Sequence, residues 1–232
     1  MGAHKDSFGT LDFLRNLPLF RELDVGDLEA IGIATEERRV AAGTVLYRRG
    51  DFCDGFYVIV IGRVKLALLA PAGAEKVVQI VGPGQSFGEA VMFLGKPHML
   101  HAEALVDSLL LFIRISAILE AIRRSPELAR RLLDDMSQRV YGLVADIESY
   151  SLKSATARVT SYLLATLPDG AQEPADVFLE ASKSVLASRL NVTREHFSRI
   201  LRELSQAGLI HVMGRSIRIL DPAGLRQHKS SR

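Results

Sequence analysis

Along the chain the period of the apolar positions changes twice. Up to about Arg39, Leu11, Leu14, Leu17 and Phe20, then Leu23, Leu28 and Ile31, fall at near-helical spacing. Asp24 or Asp27 is placed to cap the second of these short helices. From Val40 to about Arg114, short aliphatic and β-branched runs take over, at residues 44–47, 56–60, 64–68, 76–81 and 109–113. Turn signals separate them: Arg49-Gly50-Asp51, Ile61-Gly62-Arg63, Pro71-Ala72-Gly73 and Gly82-Pro83-Gly84. Short strands spaced by roughly ten residues predict an antiparallel β-roll or jelly roll, an architecture that often encloses a ligand.

From Ser116 a helical period returns. Ser116 is placed to cap a short helix running to Arg124, and Pro126 suits the first turn of a longer one. Along that helix Ala129, Leu133, Met136, Val140, Leu143, Ile147, Tyr150 and Ser154 alternate steps of four and three. This is a heptad seam, which predicts a helix pairing with a copy of itself. A helix packed on its own barrel would carry a broader apolar stripe.

Residues 152–167 read as a further helix, with Val159, Leu163 and Leu164 apolar, broken by Pro168-Asp169-Gly170. A short strand over 176–179 leads into the stretch LASRLNVTREHFSRIL at 186–201. Phe197, Ile200, Leu201 and Leu204 stand at i, i+3, i+4, i+7, one apolar face of a helix capped by Thr193. Glu195, Ser198 and Arg199 share the opposite side, with Arg194 and Arg202 near them. Leu186 and Leu190 anchor a shorter preceding helix, Ala187 permits a close crossing, and Asn191 tolerates the left-handed backbone of the turn. An amphipathic hairpin with a solvated face would need none of these coincidences; together they predict a DNA-reading helix-turn-helix. Residues 209–212 and 217–220 flank Gly214-Arg215-Ser216 as a hairpin wing, with Arg215 at its tip, placed to meet a phosphate.

The charge distribution agrees. The net charge is only +2, but residues 151–232 hold 12 Lys/Arg against 7 Asp/Glu, while residues 1–150 hold 17 against 20. The basic excess lies with the helix-turn-helix, as phosphate contact requires. A single cysteine, Cys53, excludes an internal disulfide framework and a Cys-rich zinc site, and it reads as a small buried residue. No apolar run reaches membrane-spanning length and no signal-peptide pattern opens the chain, so a soluble, cytoplasmic protein without membrane contact is expected. No cluster of His and Glu of the kind that holds metal in jelly-roll enzymes appears between Val40 and Arg114, so no catalytic residue is assigned and an enzyme is not expected.

These parts in this order resemble the Crp/Fnr superfamily of bacterial transcription regulators over nearly the whole chain. Gly84-Gln85-Ser86-Phe87-Gly88-Glu89 is similar to the start of that family's effector-binding cassette. Glu195, Ser198 and Arg199 match the Glu-x-x-Ser-Arg pattern of the Fnr branch, where the resemblance implies a TTGAT half-site. Phe87-Gly88-Glu89-Ala90-Val91-Met92-Phe93, residues 151–159 and His196-Phe197-Ser198-Arg199-Ile200 look most like the Dnr-type regulators of denitrification, associated with nitric oxide sensing through haem. The implied architecture is α+β. It comprises an effector-sensing β-roll domain (1–124), a dimerisation helix (125–153) and a winged helix-turn-helix DNA-binding domain (154–232).

The resemblance implies a homodimer on double-stranded DNA, working with RNA polymerase and gated by a small-molecule or gaseous effector. DNA contacts fall on Thr193, Arg194, Glu195, Ser198, Arg199 and Arg215, and the dimer seam on Leu133, Met136, Val140, Leu143, Ile147 and Tyr150. Effector contacts fall on Gly88, Glu89, His98, Met99 and His101. Where cyclic-nucleotide binders carry an arginine for the phosphate, this chain has His98 followed by Met99, and neither replaces a planar guanidinium. One cysteine cannot hold an iron–sulfur cluster. Haem is the implied cofactor, with His98 or His101 as candidate iron ligand and Met92 or Met99 as further candidates. The alternative is a cyclic-nucleotide-type or other small-ligand-responsive Crp-like regulator without haem. His196, on the reading helix, and His211, in the wing, are not expected to serve a sensor, nor are His4 and His228 near the ends.

Overall fold

The computed structural model describes residues 9–21, 23–70, 73–167 and 173–228. His4, the expected turn residues Pro71 and Ala72 and the breaker Pro168-Asp169-Gly170 lie outside them. The chain forms two compact units: Met1–Pro71 with Val78–Tyr141, and Ala72–Val77 with Gly142–Arg232.

The first unit opens with helices α1 (Thr10–Asn16) and α2 (Val25–Ile33), the latter capped by Asp24, which accepts from the Asp27 amide at 2.7 Å. Strands follow: β1 (Thr35–Val40), β2 (Val45–Tyr47), β3 (Gly55–Ile61), β4 (Val64–Leu69), β5 (Glu75–Val81) and β6 (Ser86–Phe87). A short helix α3 (Glu89–Met92), strands β7 (His101–Ala104) and β8 (Ser108–Arg114), and helix α4 (Ile115–Arg124) complete it. Two antiparallel sheets result, ordered β1-β8-β3-β6 and β2-β7-β4-β5. Tyr47, Leu66, Val81 and Ala102 of one sheet meet Tyr57, Ile59, Phe87, Leu110 and Phe112 of the other in a single core. The opposite face of β3 and β8 packs on Leu14, Leu28 and Ile31 of the N-terminal helices, on Phe20 in the turn between them, and on Ile118 and Leu128. Burial on both faces explains why FYVIV and LLLFI read as unbroken apolar runs and do not alternate.

Three strands escaped the sequence reading. β1 was expected to be helical up to Arg39, yet TEERRV pairs along an edge of its sheet with β8, where polar side chains stay in water. β6 has two residues, and β7 (HAEA) is short and made of poor strand formers. Ser116 does not cap α4, which begins at Ile115 without a side-chain cap.

Helix α5 (Pro126–Leu152) starts on the expected proline. Its first turns bury Leu128 and Leu132 in the first unit's core. The seam stops short of Ser154, which instead caps α6 (Ala155–Ala165) by accepting from the Ala157 amide at 3.2 Å. Two helices therefore meet at 153–154 where one continuous seam was expected. Beyond α6 come β9 (Ala175–Phe178), α7 (Lys183–Arg189), α8 (Arg194–Gln206), β10 (Ile210–Met213), β11 (Ser216–Ile219) and α9 (Pro222–Gln227). The sheet β10-β11-β9 supports the α7–α8 pair.

Candidate nucleic-acid interface and effector pocket

α7 and α8 are held as a rigid pair by local chemistry. Ser182 caps α7 through the Val185 amide, and Thr193 caps α8 through the His196 amide at 3.2 Å, as the sequence predicts. Between them Asn191 takes φ 56°, the left-handed turn expected of it. The Val192 amide donates to the Ala187 carbonyl at 2.9 Å, closing the turn. Phe197, Ile200, Leu201 and Leu204 of α8 are fully buried with Leu186 and Ala187, each large side chain stabilising the pair by about 1.5–3 kcal/mol. Arg194, Glu195 and Arg199 are exposed on the opposite face, and Ser198 is half-buried. The Arg199 Nε lies 3.9 Å from Glu203 Oε1, so its guanidinium is only loosely engaged.

The last carbonyls of α7 and those of the turn that follows it are satisfied from elsewhere in the second unit. Arg158 donates to Leu190 O at 2.8 Å and Asn191 O at 3.0 Å. The Tyr150 hydroxyl donates to Arg189 O at 2.6 Å, and Lys76 Nζ to Ser188 O at 2.6 Å. Sequence reasoning missed these caps, because they come from residues 32 to 112 positions away.

Arg215 sits in the two-residue turn between β10 and β11, as expected, and is exposed. Its guanidinium lies over the Phe178 ring at 5.0 Å and donates to Leu179 O at 3.1 Å.

On α5, Leu133, Val140, Leu143 and Ile147 are 47–64% exposed and Met136 is half-buried. Tyr141 and Val144 widen this uncovered apolar face. Tyr150, half-buried like Met136, differs from the rest of the seam in that its hydroxyl is bonded to Arg189.

In the first unit, Gly88 takes φ 96° as the N-cap of α3 and puts Glu89 into the interior, 2% exposed. Arg139 of α5 pairs with the Glu89 carboxylate and donates to Ser86 O at 2.8 Å and Asp135 at 3.0 Å. Burial pushes the Glu89 carboxyl above its ordinary range, although Arg139 pulls it down. His98 lies in the loop before β7, its backbone bonded to Asp51 O and the Gly50 amide. Its ring stacks on Tyr47 with centroids 3.6 Å apart and planes 7° apart. Burial holds its imidazole below the usual value. Met99 is 66% exposed.

His101 is buried on β7. Its Nε2 lies 3.4 Å from Glu103 Oε2, which also meets Lys65 Nζ at 3.3 Å. Its Nδ1 has no hydrogen-bond partner among the described residues. His98 and His101 thus stand in separate surroundings, one among rings and one among charges. The Cys53 thiol is buried against Gly55 O, and burial raises its pKa, as befits a packing residue. Among the described residues no three His, Cys, Asp or Glu are grouped to hold a metal ion, and no helix is long and apolar enough to cross a membrane.

Comparison with known proteins assigns both units. Residues 37–125 match the cyclic nucleotide-binding domain, and residues 157–228 the Crp-like helix-turn-helix domain. The crystal structure of DNR from Pseudomonas aeruginosa is 32% identical, with 94% of this chain and 96% of that one covered and a TM-score of 0.50. The chain belongs to the Crp/Fnr family of transcription regulators. Family members bind DNA and dimerise. The global nitrogen regulator of Synechococcus elongatus is 28% identical over 219 residues, covering 92% of this chain and 96% of that protein. The probable transcriptional regulator flp of Lacticaseibacillus casei is 28% identical over 206 residues, covering 88% and 92%. This chain is accordingly a regulator and not an enzyme.

Proposed function

We propose that two copies of this Crp/Fnr regulator pair along α5 and present their α8 helices to a TTGAT-ATCAA palindrome, with half-site centres about one helical turn apart. The face formed by exposed Glu195 and Arg199 with half-buried Ser198 carries the reading. Arg199 has the paired donors for guanine O6 and N7, Glu195 accepts from a cytosine or adenine amino group, and Ser198 is short enough to sit beside a thymine methyl. Thr193, Arg194 and Arg215 are the phosphate contacts. The uncovered face of Leu133, Met136, Val140, Leu143 and Ile147 supports pairing with a second chain. RNA polymerase is the partner through which bound dimers act. Gel shifts with wild-type and base-substituted duplexes test this reading, and Arg199→Ala retaining full sequence preference would refute it.

The effector of this reading is haem-bound nitric oxide, held in the β-roll. His101 supports it: Glu103 at Nε2 favours the tautomer that leaves Nδ1 bare, and that nitrogen is buried without a partner. Neutral His98 is the other candidate ligand, and a bound haem would supply an iron site for the gas. Gly88, Glu89 and Arg139 would connect occupancy of the roll to α5, shifting how the paired helices aim α8. Purified protein reconstituted with haem is expected to show a Soret band that nitric oxide shifts. A flat spectrum would favour the second reading, a small-ligand regulator without haem. That reading is supported by the Tyr47–His98 and Tyr57–Phe87 ring stacks inside the roll.

A further inference from the structure

We propose that Tyr150 and Asp146, acting through Arg189, set the angle of the reading helix against the paired α5 helices, and so fix the half-site spacing the protein accepts. This rests on the dimeric, palindrome-reading function proposed above.

Tyr150 and Asp146 stand four residues apart on one face of α5. Both engage Arg189, the last residue of α7. The Tyr150 hydroxyl donates to Arg189 O at 2.6 Å and accepts from its Nη1, while Asp146 Oδ2 takes its Nη2 at 2.8 Å. Arg189 is therefore bound at its backbone and at its side chain by the same helix face. All three side chains are half-buried, so solvent screens the contacts less than at an open surface.

The α5–α6 junction is short, and Arg158 Nη1 donates to Lys153 O across it at 2.7 Å. Lys153 and Ser154 alone separate α5 from α6, and Ser154 is extended, with ψ 160°. Rotation about this junction would swing α7 and α8 together, since Ala187, Val192 and the Phe197 core lock those two helices. The Arg189 contacts are a direct brace from α5 to that pair. Tyr150 thereby becomes a positioning residue for DNA recognition, while Leu133 to Ile147 remain the seam.

The test is selection from a duplex library in which two TTGAT half-sites are separated by variable spacers, with sedimentation velocity in parallel. Tyr150→Phe removes only the hydroxyl, and Asp146→Asn keeps the side-chain shape. Both variants are expected to sediment as dimers and to keep wild-type preference within each half-site. Their discrimination between the best spacer and its neighbours is expected to fall about tenfold, the effect of one lost charge-assisted hydrogen bond. An unchanged spacing profile in both folded variants would overturn the proposal. So would dissociation of Tyr150→Phe into monomers, which would place the residue in the seam. If the wild-type protein shows no preference for paired half-sites, the underlying DNA reading fails instead, and the two failures are told apart by the wild-type lane.

Discussion

Arg139 closes its guanidinium over the buried carboxylate of Glu89, joining the long helix to the first turn of α3. Arg139 is partly exposed whereas Glu89 is not, so removing the arginine leaves a charge that water cannot reach. Arg139→Gln is expected to lower unfolding stability by about 2–3 kcal/mol in urea titrations. Glu89→Gln, which removes the buried charge itself, is expected to cost less. A smaller loss for Arg139→Gln than for Glu89→Gln would show that burial of Glu89 needs no partner.

The reading face and the wing should separate in binding assays. Arg199→Ala is expected to lose about 1–3 kcal/mol of discrimination at one guanine. Arg215→Ala is expected to weaken all sequences alike and to reduce the salt slope by about one. Titration of specific and scrambled duplexes at several salt concentrations measures both. A base-specific defect in Arg215→Ala would contradict the assignment.

The turn of the helix-turn-helix sets its own tolerance. At φ 56°, Asn191→Gly is expected to be nearly neutral, while Asn191→Val costs about 1–2 kcal/mol from Cβ crowding in the left-handed region. Thr193→Ala is expected to cost about 1 kcal/mol through loss of the α8 cap. Thermal unfolding of the three variants checks the order.

His98 gives the first unit a pH dependence of defined sign. Burial holds its folded-state pKa below 6.5, so the unfolded chain takes up the proton first as pH falls. Its contribution to stability is therefore complete above pH 6.5 and declines below it, toward the lower folded-state value. Melting temperatures from pH 7.5 to 5 should fall less steeply in His98→Phe, which keeps the stack on Tyr47 without the titrating group. Equal slopes in both proteins would remove His98 as the cause.

The helix-turn-helix was legible because local rules decide it. The Thr193 cap, the Asn191 turn and the apolar stripe from Phe197 to Leu204 each depend on residues within one or two turns. The apolar strands β3, β4, β5 and β8 were legible for the same reason. β1 and β7 were not, since their extended conformation comes from pairing with β8 and β4 and not from their own residues. The seam showed in its spacing, but not the departure of Tyr150 toward Arg189 or the reach of Arg139 to Glu89. Those depend on which surfaces the fold brings together across 39 and 50 residues of sequence, and no periodicity records that.

The most direct measurement is sedimentation velocity of the protein with a labelled duplex carrying TTGAT-ATCAA, alongside a duplex with both half-sites scrambled. The expected result is two chains on each specific duplex, and binding to the scrambled duplex weaker by about 10³-fold or more at physiological salt. One chain per duplex, or equal binding to both sequences, would contradict a paired reader of DNA.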